Sequence, residues 1–425
     1  MLSILLILVG LVLLLLTGVP IFAGLSLFGG LLLMAEPGAI GVISDIIFSK
    51  VSMYALVAIP LFAYMAHVMI RGRIVDDLYG TAYTLTRHLP GGVGIATVVA
   101  CMIFSAICGS SVATAMTIGA VAIPQMIRYG YRPQAAYGLV AAGGTLGILL
   151  PPSGPMILYG VATDTSISGL FMAGVLPGLL LALLFMLYCA FSQRHGRRET
   201  RASLAEMALA VRKSGWALGL PVLVLGGMYI GLFTATEASA IGAVLAVLVA
   251  SLAYRSVGWR DLWECALDAA RTSAMLFMIL AGAAVFGYAL TSLRIPQDIV
   301  NLVLEMNIGP YGFLVAMMVM LFVLGMFLES IAIILITSPI VMPVMAQLGI
   351  NPIWYGVLLV INLEVALITP PVGMNIFTIK AVTHAPIGQI IQGVWPFVIL
   401  MLIAMALVMA FPQIALLLPD TMINT

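Results

Sequence analysis

Residues 148–157 read ILLPPSGPMI and residues 367–376 read LITPPVGMNI. The two Pro-Pro pairs, Pro151-Pro152 and Pro370-Pro371, stand 219 positions apart. With that offset held fixed and no gap, Ser111 falls on Ser330, Ala113 on Ala332, Pro124 on Pro343, Gly130 on Gly349, Pro133 on Pro352 and Gly154 on Gly373. The chain therefore reads as two copies of one unit. A proline inside a helix removes a backbone donor and clashes with the preceding turn, at a cost of roughly 3 kcal/mol. Two adjacent prolines followed by a glycine break the helix outright. In a membrane such a break survives only where the freed backbone groups face protein, water or an ion. Breaks at matching places in two halves point to the binding site of a transporter.

Composition identifies the solvent. Apolar residues make up 63% of the chain and charged ones 8%, against about 25% charged residues in soluble proteins. Mean hydropathy is +1.21. The chain reads as a polytopic membrane protein, located by expectation in a bacterial inner membrane. A net charge of +1 leaves no broad basic face for nucleic acid. The apolar run from Leu2 to Met34 is too long for the core of a signal peptide and reads as the first spanning helix. Further spans of the length a bilayer requires fall near 51–70, 168–191, 216–233, 237–253, 272–291 and 393–411, with two interrupted ones beginning near Gln134 and Ile353. The segment 254–271, with Trp259 and Trp263, reads as interfacial. Cys101, Cys108, Cys189 and Cys265 show no metal-ligand spacing and read as free, buried thiols.

Two apolar stretches bend back on themselves, from Gly91 to Met126 around Cys108-Gly109-Ser110-Ser111 and from Gly312 to Met345 around Leu328-Glu329-Ser330. Halves of about 16 residues are short for a core of roughly 30 Å, so both read as re-entrant helical hairpins. Charge fixes their orientation. The loop from Ser192 to Lys213 carries Arg194, Arg197, Arg198, Arg201, Arg212 and Lys213 and is placed in the cytoplasm. Counting spans from it puts the loop of Arg128 and Arg132 inside and its uncharged counterpart, Ala346 to Pro352, outside. The fold expected is all-α and polytopic, with two inverted-topology repeats, each holding a re-entrant hairpin and a Pro-Pro-broken helix. The division expected is 1–90 scaffold, 91–166 hairpin and broken helix, 167–311 scaffold and connecting loop, 312–380 hairpin and broken helix, and 381–425 a last scaffold helix.

The stretches Leu56-Val-Ala-Ile-Pro-Leu-Phe62, Gly109-Ser-Ser-Val-Ala113, Leu150-Pro-Pro-Ser153, Gly231-Leu-Phe-Thr-Ala-Thr-Glu-Ala238 and Leu367-Ile-Thr-Pro-Pro-Val-Gly373 carry a resemblance over essentially the whole chain. It resembles the large membrane subunit of tripartite ATP-independent periplasmic (TRAP) transporters, within the ion transporter superfamily. The resemblance implies an elevator motion of a transport domain against a scaffold and coupling to sodium. It also implies two partners, a small four-helix membrane subunit and a periplasmic substrate-binding protein that hands over an organic acid. The chain departs from the family pattern at Ala235, where proline is common, at Glu329, where aspartate is common, and at Gly154, where a larger apolar residue is common.

Sodium is a hard cation that binds carbonyl and hydroxyl oxygens, and an unwound helix offers carbonyls with no intrahelical donor. In the first half Ser105, Gly109 and Ser110 at the tip would face the break at Pro151 to Gly154, with Ser111 beside them. In the second, Gly325, Glu329 and Ser330 would face Thr369 to Gly373. Small residues also serve close helix packing; their duplication beside a break favours ion binding. Half-helix N-termini attract a carboxylate to the same place, with Ser111, Thr114, Ser153, Glu329, Asn362 and Asn375 as candidate substrate contacts. Arg294 either snorkels from a helix end or pairs with a substrate carboxylate. Glu237 caps a helix or acts in transport, Glu364 either supports the site or carries a proton or is simply a buried, hydrogen-bonded glutamate, and His67 reads as a satisfied core histidine.

The leading reading is import of an organic anion with sodium; the alternative is a stand-alone symporter or channel of the same architecture. A Gly109-Ser110 hydrolase lacks a base at dyad spacing, and no GxxxxGK[ST] run supports use of ATP. The protein is expected not to be an enzyme.

Overall fold

The duplication extends helix by helix through the computed structural model, which describes residues 7, 10–15, 17–34, 39–72, 76–194 and 199–422. The first half holds α1 (Ile21–Leu33), α2 (Ile43–Val51), α3 (Ala58–Arg71), α4 (Asp76–Thr86), α5 (Gly92–Cys108), α6 (Ser111–Arg128), α7 (Pro133–Leu149), α8 (Gly154–Thr163) and α9 (Ile167–Ser192). Then come α10 (Leu204–Lys213), α11 (Gly215–Tyr229) and α12 (Ala235–Leu248). The second half holds α13 (Trp259–Ser292), α14 (Ile295–Glu305), α15 (Pro310–Gly325), α16 (Ser330–Leu348), α17 (Pro352–Leu367), α18 (Met374–Thr383), α19 (Ile387–Ala410) and α20 (Gln413–Thr421). Displaced by 219 positions, α4 coincides with α14, and α5 to α9 coincide with α15 to α19 to within two residues at each end. The described residues contain no strand.

The helices start and stop where side-chain chemistry requires it. Pro133, Pro310 and Pro352 open α7, α15 and α17 at a position where the missing N–H is not needed. Ser110, Ser153, Ser166 and Asn351 cap α6, α8, α9 and α17 by accepting from backbone N–H groups. Each proline pair separates two helices, α7 from α8 and α17 from α18, and both Pro-Pro bonds are cis. These broken helices form the centre of the molecule. Every residue of α17 from Trp354 to Leu367 is buried, the pattern of a helix apolar all round. The pair α5 and α6 packs on α7, and α15 packs on α17. Around them lie long apolar helices such as α9, α13 and α19. Seven helices among the described residues are long and apolar enough to cross a membrane, or eight counting the bent pair α10 and α11.

Three expectations change. The run read as one first span is interrupted: Thr17 and Gly18 turn the chain, Gly18 with φ +86°, and Pro20 precedes α1; residues 1–6, 8, 9 and 16 of that run lie outside the described residues. The segment 254–271 is not a separate interfacial piece, because from Trp259 onward it belongs to the 34-residue helix α13. At 19 residues, α16 meets the length of a span, so shortness argues for re-entry in α15 but not in α16. Arg197 and Arg198 of the basic loop also lie outside the described residues.

Candidate functional site

Both breaks and both hairpin tips converge on one cavity of about 330 Å³. The first tip supplies Gly109 to Ala113 and the first break Pro152 to Pro155. The second tip supplies Glu329, Ser330 and Ile331, with Leu367 and Met374 from either side of the second break. The wall opposite comes from α3, including Phe62 and His67, and from Thr272, Met275 and Leu276 of α13. Helices α6, α8, α16 and α18 all start at this cavity. Their unpaired N–H groups and partial positive charge suit an anion.

Gly109 makes the first tip and break touch. It ends α5 at φ +61°, and a Cβ there would lie 2.2 Å from the Pro152 carbonyl oxygen. Only glycine permits both the left-handed conformation and that approach. Gly154, by contrast, has nothing within 4 Å of a built Cβ and leaves the cavity open beside the start of α8.

Behind the first tip runs a buried network that joins the two repeats. The Ser111 hydroxyl donates to Glu364 Oε2 at 3.1 Å and accepts from Asn375 Nδ2 at 2.9 Å. Asn375 Nδ2 also donates to the Ala141 carbonyl at 3.0 Å. Ser111, Glu364 and Asn375 are 2%, 1% and 0% exposed. Glu364 Oε1 and Asn375 Oδ1 have no hydrogen-bond partner among the described residues. A buried acceptor without a donor costs about 1–3 kcal/mol, so these two oxygens are suited to a cation, a water or a proton.

Of the residues singled out in the sequence, Ser111, Ser153, Glu329, Gly109, Ser110, Gly154 and Ser330 line the cavity. Thr114 turns its hydroxyl onto the Ser110 carbonyl at 2.7 Å, Ser105 onto Cys101, and Thr369 onto Val365 at 2.7 Å. These three brace the tips and the second break from within. Pro151 and Gly373 belong to the breaks without lining the cavity, Gly373 in the left-handed conformation at φ +54°. Asn362 bridges α17 to the Met318 carbonyl of α15 at 3.0 Å, a helix tie rather than a cavity contact.

Gly325, Arg294 and His67 stand in settings that the sequence did not show. A Cβ on Gly325 would lie 2.7 Å from that of Ala366, so its smallness serves packing of α15 on α17. Arg294 sits exposed in the left-handed turn between α13 and α14, outside the cavity wall. His67 is half-buried in that wall instead of packed in a core; it shares one stripe of α3 with Tyr64 and Arg71, at i, i+3 and i+7, and that spacing is the signal that it faces away from the core. Glu237 caps α12, accepting from the Thr234 N–H and hydroxyl, both at 2.9 Å.

Comparison with known proteins identifies the family. The family model for the DctM component of tripartite ATP-independent periplasmic transporters matches residues 8–414. The chain is 40% identical over 399 residues to the C4-dicarboxylate TRAP transporter large permease protein DctM of Pseudomonas aeruginosa, covering 93% of each chain. It is 35% identical to the isethionate TRAP transporter permease protein DctMQ of Oleidesulfovibrio alaskensis, covering 94% of this chain and 64% of that one. Among solved structures, the YdaH transporter of Alcanivorax borkumensis superposes with a TM-score of 0.67 at 14% identity, over 87% of this chain and 86% of that one. That likeness concerns the fold alone. The matched span and the identities show that this multi-pass membrane chain, a transporter permease subunit and not an enzyme, belongs to the DctM family of large TRAP transporter permeases.

Proposed function

We propose that this permease imports an organic anion together with sodium, receives the anion from a periplasmic binding protein, and works beside a small membrane subunit. The observation that carries the reading is the meeting of two hairpin tips and two helix breaks at one cavity. Relatives named for C4-dicarboxylates and for isethionate support an acidic substrate. The DctMQ name, on a protein of which the match covers 64%, supports a second membrane component. The anion would lie against the N-termini of α6, α8 and α16, near Ser111 and Ser153. Sodium, the cargo that supplies the driving force, would use oxygens at Gly109, Ser110 and Pro152 in one half and around Ser330 and Glu329 in the other. Transport then proceeds by an elevator step in which 91–166 and 312–380 move against the remaining helices.

Uptake of radiolabelled succinate and isethionate is measured in proteoliposomes holding the permease alone, the permease with its small membrane partner, or both with the binding protein. Each is run with and without an inward sodium gradient. Accumulation that needs sodium and all three proteins is the expected result. Sodium-driven uptake by the permease alone removes the partners from the proposal; uptake indifferent to sodium removes the coupling ion.

A further inference from the structure

A second cavity of about 390 Å³ follows the first along the same three helices. On α13 the first cavity is lined by Thr272, Met275 and Leu276, and the second by successive turns from Leu280 to Thr291. On α16 the sequence is Ser330 and Ile331, then Leu335, Ser338 and Met342; on α8 it is Gly154 to Ile157, then Ala162 to Asp164. From Leu276 to Gly287 is ~16 Å along a helix axis. The two spaces thus succeed one another along the same helices, with Leu276 lining the first and Leu280 the second.

The second cavity contains a cation. Lys50, in the last turn of α2, is half-buried in its wall and has no acidic partner within ion-pair distance among the described residues. A lysine at a helix C-terminus is favoured by the dipole, but that accounts for its position and not for the open-sided cavity in front of it. Asp164 also lines the cavity and is exposed, so water screens its charge more than that of Lys50. The hydroxyls of Thr163, Thr291 and Ser338 donate to carbonyls of their own helices and are left as acceptors. The donors facing the space are the Lys50 ammonium and the Tyr288 phenol. We propose that this cavity is a carboxylate-binding vestibule, in which Lys50 and Tyr288 hold the anion before it reaches the cavity between the hairpin tips. The proposal rests on the reading of the chain as an organic-anion permease.

The test does not depend on transport. The full chain in nanodiscs is acylated with sulfo-N-hydroxysuccinimidyl acetate, and each lysine is followed by peptide mass spectrometry. Succinate is compared with sodium chloride of equal ionic strength. Succinate at twice its dissociation constant should slow acylation of Lys50 about threefold by mass action. Lys213 and Lys380, the other lysines of the chain, should react as before, and Tyr288→Phe should weaken the protection. Equal rates in succinate and chloride overturn the vestibule, as does protection of all three lysines alike. If proteoliposomes show no anion uptake while Lys50 is still protected, the transport reading fails and the site stands.

Discussion

Gly109 and Gly154 each stand two residues from a residue of the site, Ser111 and Pro152 respectively, yet they do different things: glycine at the first lets the tip touch the break, and glycine at the second keeps the cavity wide. An alanine at Gly109 must hold a left-handed conformation, at about 1–2 kcal/mol, and push its Cβ out of the 2.2 Å contact with the Pro152 oxygen. Gly109→Ala should therefore lose uptake and melt lower in nanodiscs. Gly154→Ala should melt like the parent, because its Cβ meets nothing within 4 Å, and should change only the half-saturating anion concentration. Equal uptake by Gly109→Ala and the parent would contradict the tip-and-break contact. At this scale the sequence was legible where chemistry repeats: Ser110, Ser111, Ser153 and Ser330 stand beside breaks and line the cavity. It was illegible where a residue's role depends on what packs opposite. Gly325 looks like Gly109 on paper, and the fold separates them: Gly109 is left-handed against the Pro152 carbonyl, whereas Gly325 packs on Ala366.

Helix α6 is tied at both ends, at the tip through Ser111 and at the other end through Tyr129, which caps it. The Tyr129 hydroxyl donates to Glu199 Oε1 at 2.6 Å and accepts from Tyr83 at 2.7 Å. The loop from Glu199 to Glu206 is thereby attached to α4 and α6, with Arg87 reaching Glu206 at 3.2 Å. Hydrogen bonds from Tyr129 and Tyr83, then the Arg87 charge, hold the Glu199 carboxyl below its ordinary value of 4.5. A carboxylate whose folded value is depressed stabilises fully above its unfolded value and loses that contribution as pH falls through the folded one. Amide exchange in 199–206, corrected for its intrinsic pH dependence, should therefore be slow at neutral pH and rise below the ordinary carboxylate value. Tyr129→Phe should give fast exchange at both. A pH-independent loop in the parent would show that the Glu199 contact contributes nothing. The helices themselves were readable from caps and prolines; this attachment was not, because it joins half-buried side chains 70 positions apart.

Across the whole molecule, two equivalent tip-and-break units share one buried network, and that arrangement has a consequence for how sodium binds. If each unit takes a sodium ion, uptake should rise with sodium more steeply than a single site allows, with a Hill coefficient limited by the number of sites to about 2. Coupling needs a physical connection that both units bias. The Ser111 hydroxyl supplies one: it belongs to the tip of the first repeat, yet its partners Glu364 and Asn375 flank the break of the second. Glu364→Gln keeps the volume and one oxygen acceptor while replacing the other carboxyl oxygen by an amide nitrogen, so folding should survive. A shifted tip should then lower the Hill coefficient towards 1 and raise the sodium concentration for half-maximal uptake. A change in maximal rate alone, with the steepness intact, would mean that Glu364 only stabilises the packing of α17. The offset of 219 positions already foretold equivalent units, since proline and glycine report backbone geometry directly. Their connection stayed hidden, because Glu364 aligns with Thr145 and Asn375 with Met156: Ser111 repeats as Ser330, but the two partners that tie it to the other repeat do not recur.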